Sequence, residues 1–193
     1  GLTSVLLVAP FAILLVKNGY GIDDYTALFF TLVSLVGSVA SGLLNRRLAG
    51  RMKPHTLVTL YTAVLLLVAL AWGFAPTSFV LPAVTGLFLL IGIAKAGITV
   101  GLQHYLISEN RPEHRIHVSL LAELTAAALA GLTGTLVGGG LLQLLANRAE
   151  GLEVYRKYFL IVAAILVVAL VFVQRLRQPR RSMSVAPGRM MPR

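Results

Sequence analysis

The sequence predicts an all-helical fold, a bundle of six helices that crosses a membrane six times. Three observations predict it. The 193-residue chain is 57% hydrophobic and only 12% charged, with a mean hydropathy of +0.83, whereas a soluble domain spends about a quarter of its residues on charge. Six apolar segments follow one another, each near the ~20 residues that cross about 30 Å of hydrocarbon as helix. Charge clusters and turn residues separate them. A helix pairs its own backbone polar groups, which makes it the default element in lipid.

The first segment, Leu2 to Val16, is shorter than a full span and follows a glycine with no initiator methionine, so the chain reads as a fragment cut inside or just before its first helix. No basic stretch precedes it and no small-residue cleavage site follows it, which argues against a secretory signal peptide. The second, Tyr25 to Leu44, contains "SLVGSVASG", where Ser34, Ser38 and Gly42 recur every four residues beside a parallel row of Gly37 and Ser41. The third, Thr56 to Phe74, includes "AVLLLVALAW", bulky and uncharged on every face. The fourth, Phe79 to Leu106, spaces Gly97 and Gly101 four apart and holds Lys95 near its middle. The fifth, Val118 to Ala146, carries Glu123 and a further pair, Gly134 and Gly138. The sixth, Tyr155 to Val173, includes "AAILVVALVF" and resembles the third.

Small residues at a four-residue period let helix backbones approach closely, which is how helices associate when lipid supplies no hydrophobic drive. Ser34, Ser38, Gly42, Gly97, Gly101, Gly134 and Gly138 are therefore the expected packing positions, on helices 2, 4 and 5. Helices 3 and 6 are expected to face lipid. Residues 1–178 make up the six-helix transmembrane domain. The tail, 179–193, is basic and too poor in apolar residues to pack; it is expected to be disordered and to lie against anionic headgroups.

The formal charge of +10 is explained by topology. Arg46, Arg47, Arg51, Lys53, Arg111 and Arg115 share one side with Arg175, Arg177, Arg180, Arg181, Arg189 and Arg193, against Lys17, Arg148, Arg156 and Lys157 on the other. The positive-inside rule puts the larger set, and both chain ends, in the cytoplasm of a cell whose inner or plasma membrane holds the protein. Nucleic acid is not needed to account for the basicity. Asp23, Asp24, Glu150 and Glu153 fall outside, where Tyr20, Tyr25, Trp72, Phe74, Phe79, Tyr155 and Tyr158 are expected to form an aromatic belt.

The decapeptides of helices 3 and 6 agree at five of ten positions, helices 2 and 5 are both rich in small residues, and helices 1 and 4 both carry an early proline, Pro10 and Pro82. The pattern suggests two three-helix units in tandem; the alternative is that leucine, valine and alanine runs resemble one another by composition alone. An odd number of crossings per unit inverts the second relative to the first, a 3+3 construction used by many secondary transporters.

"SGLLNRRLAGRMKP" after helix 2 resembles the basic cytoplasmic loop signature of the major facilitator superfamily in its second-half copy, and "SENRPEHR" resembles the loop before that family's eleventh helix. Gly42, Arg46, Arg47, Gly50, Arg51 and Lys53 fit the signature; no acid is present, Asn45 standing nearest its place, and the spacing to Gly50 is one residue long. The resemblance covers all six helices and implies that they are helices seven to twelve of a twelve-helix secondary transporter. The implied partners are membrane lipid, a small solute and an N-terminal six-helix half.

Apart from Arg156 and Lys157 in the first turn of the sixth segment, Lys95 and Glu123 are the only fixed charges within the six spans. An unpaired charge at mid-bilayer costs on the order of 3 kcal/mol on insertion scales, so opposite charges at comparable depth are expected to face each other or a wet cavity. Taking helix 4 to end near Ile107 and helix 5 to start near Arg115 puts the two within roughly 6 Å of the same depth. They are expected to line the inner part of a polar pathway, with Glu123 able to couple transport to protons. The competing reading is a permanent ion-pair tie between neighbouring helices.

Other chemistries find little support. Cysteine is absent, which removes disulfides, thiol catalysis and thiolate metal sites. Glu113, His114 and His117 lack an H-E-x-x-H arrangement, so neither metal nor cofactor is expected. Ser38 or Ser41 could be imagined as the nucleophile of an intramembrane hydrolase, yet His104 and His117 lie near helix ends and no G-x-S-x-G elbow exists. An enzyme is therefore not expected. No phosphate-cradling G-x-x-x-x-G-K occurs. A complete six-helix protein working as a homodimeric transporter or membrane scaffold is the alternative.

Overall fold

A computed structural model describes residues 2–48, 51–109, 115–147 and 151–175. Among these every element is helical: α1 (Leu2–Leu14), a π-helical segment π1 (Leu15–Gly19), α2 (Asp24–Leu48), α3 (Pro54–Gly73), α4 (Leu81–Glu109), α5 (Arg115–Leu132), a second π segment π2 (Thr133–Gly139), α6 (Gly140–Ala146) and α7 (Leu152–Arg175). Since α1 runs into π1, and α5 through π2 into α6, the elements make six rods. Four of them, α2, α3, α4 and α7, are long and apolar enough to cross a membrane; the shorter apolar stretches are Leu7–Gly19, His117–Ala128 and Leu136–Ala146. Gly50, the loop residues Arg111, Glu113, His114, Arg148 and Glu150, and the tail 179–193 lie outside the described residues.

Local chemistry sets the ends of the rods. Gly21 and Gly151 take φ of +68° and +59° in the turns before α2 and α7, the left-handed region that a Cβ disfavours. Asp23 precedes α2, accepts a 2.6 Å hydrogen bond from the Thr26 hydroxyl and supplies the carbonyl for the Ala27 N–H, as an N-cap does. Pro54 opens α3, where its missing N–H is no loss.

The bundle is ordered α2, α4, α3, α7 across its main layer, with α4 wedged between α2 and α3 and α3 between α4 and α7. The first rod packs on α4, α7 and π2, and α6 lies against α7. The α2/α4 crossing is closest. A Cβ on Gly37 would strike the Leu89 carbonyl, one on Gly92 would strike the Ser34 carbonyl, and the Ser38 hydroxyl bonds the Gly92 carbonyl at 3.2 Å. On the other face of α4, Gly97 meets the Tyr61 ring and Gly101 meets Val58.

Two expectations are corrected here. Half of the most apolar window of α3 is buried, against 22% for α2; α3 is enclosed by its neighbours rather than turned to lipid, with Leu57, Tyr61, Leu65, Val68 and Trp72 in the core. The expected aromatic belt is also broken up, because Trp72, Tyr155 and Tyr158 are buried while Tyr25 and Phe74 are exposed. The inward rings join a continuous aromatic path: Tyr20 meets Phe79, Phe79 meets Phe30, Phe30 stacks on Phe88 at 5.0 Å, Phe88 meets Trp72 at 6.0 Å, and Phe159 and Tyr158 carry the path to Phe11. Offset and edge-on ring pairs stabilise these side chains inside the bundle, although the buried Trp72 indole N–H has no hydrogen-bond partner among the described residues.

Polar contacts close the end of the bundle where these rings begin. Tyr20 donates to the Pro76 carbonyl at 2.7 Å, Arg156 donates to the Ala75 carbonyl, and Lys17 pairs with Asp24 at 2.6 Å. Burial pushes the Tyr20 phenol above its usual range, with the Arg156 charge opposing that shift.

Candidate functional site

Lys95 stands midway along α4, fourteen residues after Leu81 and fourteen before Glu109, or about 21 Å from each end at 1.5 Å per residue. Its neighbours Ala94 and Gly97 are buried in helix contacts, whereas Lys95 is exposed and lines a cleft of about 270 Å³ between α1, α2 and α4. Pro10 of α1, Thr31 and Ser34 of α2, and Phe88 and Ile91 of α4 line the same cleft. The residues fall there by helical spacing. Phe88, Ile91 and Lys95 are three and four apart, and so share one face of α4; Thr31 and Ser34 do the same on α2.

Glu123 takes a different partner from the one expected. Gln103 donates its side-chain amide to the Glu123 carboxylate at 3.1 Å. Among the described residues the ion pairs are Lys17 with Asp24 and Lys157 with Glu153, and Lys95 is in neither. Depth is the reason. Because α4 continues to Glu109, Gln103 lies six residues, or about 9 Å, above its end and Glu123 eight residues, or about 12 Å, above the start of α5, so these two match in height. Lys95 lies a further two turns away. The expectation that Lys95 and Glu123 sit within one side-chain reach is corrected: they occupy successive levels on neighbouring rods.

At the end of α2, Asn45 is buried. It donates to the Ser41 hydroxyl at 3.3 Å and accepts from the Tyr61 hydroxyl at 2.6 Å, which ties α2 to α3 beside the Gly97 contact. Arg46, Arg47, Arg51 and Lys53 are exposed, and the backbone turns through Arg51 and Met52, whose N–H groups both bond the Leu48 carbonyl at 2.9 Å.

The small-residue positions divide. Ser34, Ser38, Gly97 and Gly101 lie at helix crossings, and Gly138 packs so closely on Phe11 and Tyr158 that a Cβ there would strike the Phe11 ring. Gly42 and Gly134 have open space where a Cβ would stand, so among the described residues neither closes a helix contact. Reading by fours passed over Gly92, which stands five residues before Gly97 and so belongs to no row with it. Tyr61 was missed as well, although a phenol in an apolar helix needs a hydroxyl partner and is a signal in itself. No group of three or more metal-ligating side chains occurs among the described residues.

No family model matches the chain, and neither a curated protein nor a solved structure matches it.

Proposed function

We propose that the chain is the C-terminal six-helix half of a secondary active transporter of the major facilitator type, in the inner or plasma membrane with both ends cytoplasmic, moving a small solute by alternating access. The observation that carries this reading is Lys95, an ammonium at mid-length of α4 that lines the cleft between α1, α2 and α4. Ionisable residues at such depth mark solute and ion pathways, and transporters bind near the bilayer midplane at the interface of their repeats. Glu123, which accepts a hydrogen bond from Gln103, is the titratable group we assign to proton coupling.

Most contacts between the rods pair off as a 3+3 repeat requires, although α1–α3 has no α4–α7 counterpart among the main contacts. Exchange of the two three-rod units maps the α2–α4 contact onto that between the fifth rod and α1, maps α3–α4 onto α7–α1, and maps α3–α7 and α1–α4 onto themselves. The α6–α7 contact has its counterpart in the Tyr61–Asn45 hydrogen bond between α3 and α2.

Alternating access requires one site to be reachable from each side in turn. Because these 193 residues hold no cysteine, a single Ser34→Cys is the one thiol among them, and the parent protein labelled in parallel sets the background. In the intact protein, a membrane-impermeant thiol reagent is expected to label it in both right-side-out and inside-out vesicles, while Val39→Cys on the exposed apolar face of α2 stays unlabelled. Labelling of Ser34→Cys from one side only, or from neither, refutes alternating access at this cleft and favours a static scaffold.

A further inference from the structure

We propose that the cleft between α1, α2 and α4 binds a small organic monoanion, an acid with a compact apolar body, and that Lys95 supplies its counter-charge. As the identity of a transported solute, the inference rests on the transporter reading; as a binding site, it stands on the cleft alone.

The sign of the ligand follows from what surrounds the ammonium. Lys95 makes no ion pair among the described residues, and Glu123, the acid of the spans, is engaged by Gln103 two turns along α4. The remaining residues at the cleft are uncharged, so it carries a single positive charge at a depth where a lone charge is expensive. An anion removes that expense by forming a charge-assisted hydrogen bond. A cation would add to it.

Size and shape follow from the walls. An apolar cavity of about 150 Å³ holds benzene, so about 270 Å³ accommodates on the order of ten non-hydrogen atoms. Phe88, Ile91 and Pro10 present apolar surface, and the Phe88 ring is fixed by stacking on Phe30. Such walls take the hydrocarbon or aromatic body of the ligand, leaving a few polar groups to set its orientation. The Thr31 hydroxyl is committed to the Ala27 carbonyl at 3.2 Å. The Ser34 hydroxyl makes no hydrogen bond among the described residues and remains a donor in the cleft that Lys95 lines. One full charge, one neutral donor and an apolar pocket together describe a monocarboxylate or an acid of similar size, rather than a dianion or a sugar.

The test compares isosteres that differ in charge. With the intact protein in detergent micelles, fluorine NMR would follow 4-fluorobenzoate, 4-fluorobenzamide and 4-fluorobenzylamine. The anion is expected to bind saturably and about tenfold or more tighter than the neutral amide, as a charge-assisted contact implies. Lys95→Gln should remove that preference while leaving amide binding unchanged, and Lys95→Arg should keep it; unchanged circular dichroism and amide binding show that the variants are folded. Equal binding of anion and amide, tighter binding of the amine, or an anion preference that survives Lys95→Gln overturns the proposal. Anion binding together with one-sided labelling of Ser34→Cys retires the transporter and keeps the site. Two-sided labelling without an anion preference does the reverse.

Discussion

Gly92 and Gly42 are both helical, yet an added methyl group would meet the Ser34 carbonyl at the first and open space at the second. Backbone cannot step aside as a flexible side chain can. Gly92→Ala is therefore expected to lower the unfolding free energy by about 1–3 kcal/mol, the range for overpacking a close contact. Gly42→Ala should leave stability unchanged or raise it by up to about 1 kcal/mol, since alanine is the better helix former. Titration of the folded chain in micelles with dodecyl sulfate, followed by circular dichroism, measures both; a Gly92→Ala chain as stable as the parent would mean that α2 and α4 do not cross here. At this scale the sequence was legible where a period existed. Gly97 and Gly101 announce themselves by spacing, whereas Gly92 and Asn45 acquire their roles only from what the fold brings opposite them, a carbonyl of α2 in one case and the Tyr61 hydroxyl in the other.

The start of α2 carries a pH dependence whose sign can be worked out. The Thr26 hydroxyl is the main group holding the Asp23 carboxyl below its usual range, with backbone N–H groups helping. A carboxyl depressed in the folded state stabilises that state above its unfolded pKa, and the contribution is lost as pH falls through the lower folded value. Thr26→Ala should move the Asp23 titration up toward the ordinary carboxylate value, read by carbon NMR of the side-chain carboxyl. No movement would show that the hydroxyl is not its partner. Helix existence and order were readable from apolar runs of span length, and all six rods lie where those runs do. Which helix is enclosed was not readable. In lipid a core face and an outer face are equally apolar, so the uniform bulk of α3 suits either, and only its position between α4 and α7 decides. The π segments were invisible for a related reason: an i→i+5 turn changes backbone bonding without a periodic mark in residues such as Leu15 to Gly19.

Four rods meet the length and composition of a span outright, and the proposed topology needs the first and fifth rods to cross as well. The two cases place Asn147, just beyond α6, on opposite sides. With six crossings, alkaline phosphatase fused after Asn147 is exported and active while a fusion after Met52 is inactive; if the fifth rod does not cross, both fusions are inactive. The candidate site was legible in part at this scale. Lys95 could be singled out because a charge in an apolar run is conspicuous, but its partnership with Glu123 rested on guessed helix ends, and the extension of α4 to Glu109 gave the carboxylate to Gln103 instead. The cleft itself involves Pro10, Thr31 and Phe88, three residues unremarkable alone that become neighbours only when three rods meet. Phe88 has a second consequence. One of its contacts is Trp72, the chain's single tryptophan, so the natural fluorophore of this protein sits one ring away from the cavity and its emission can register what enters there without any attached dye.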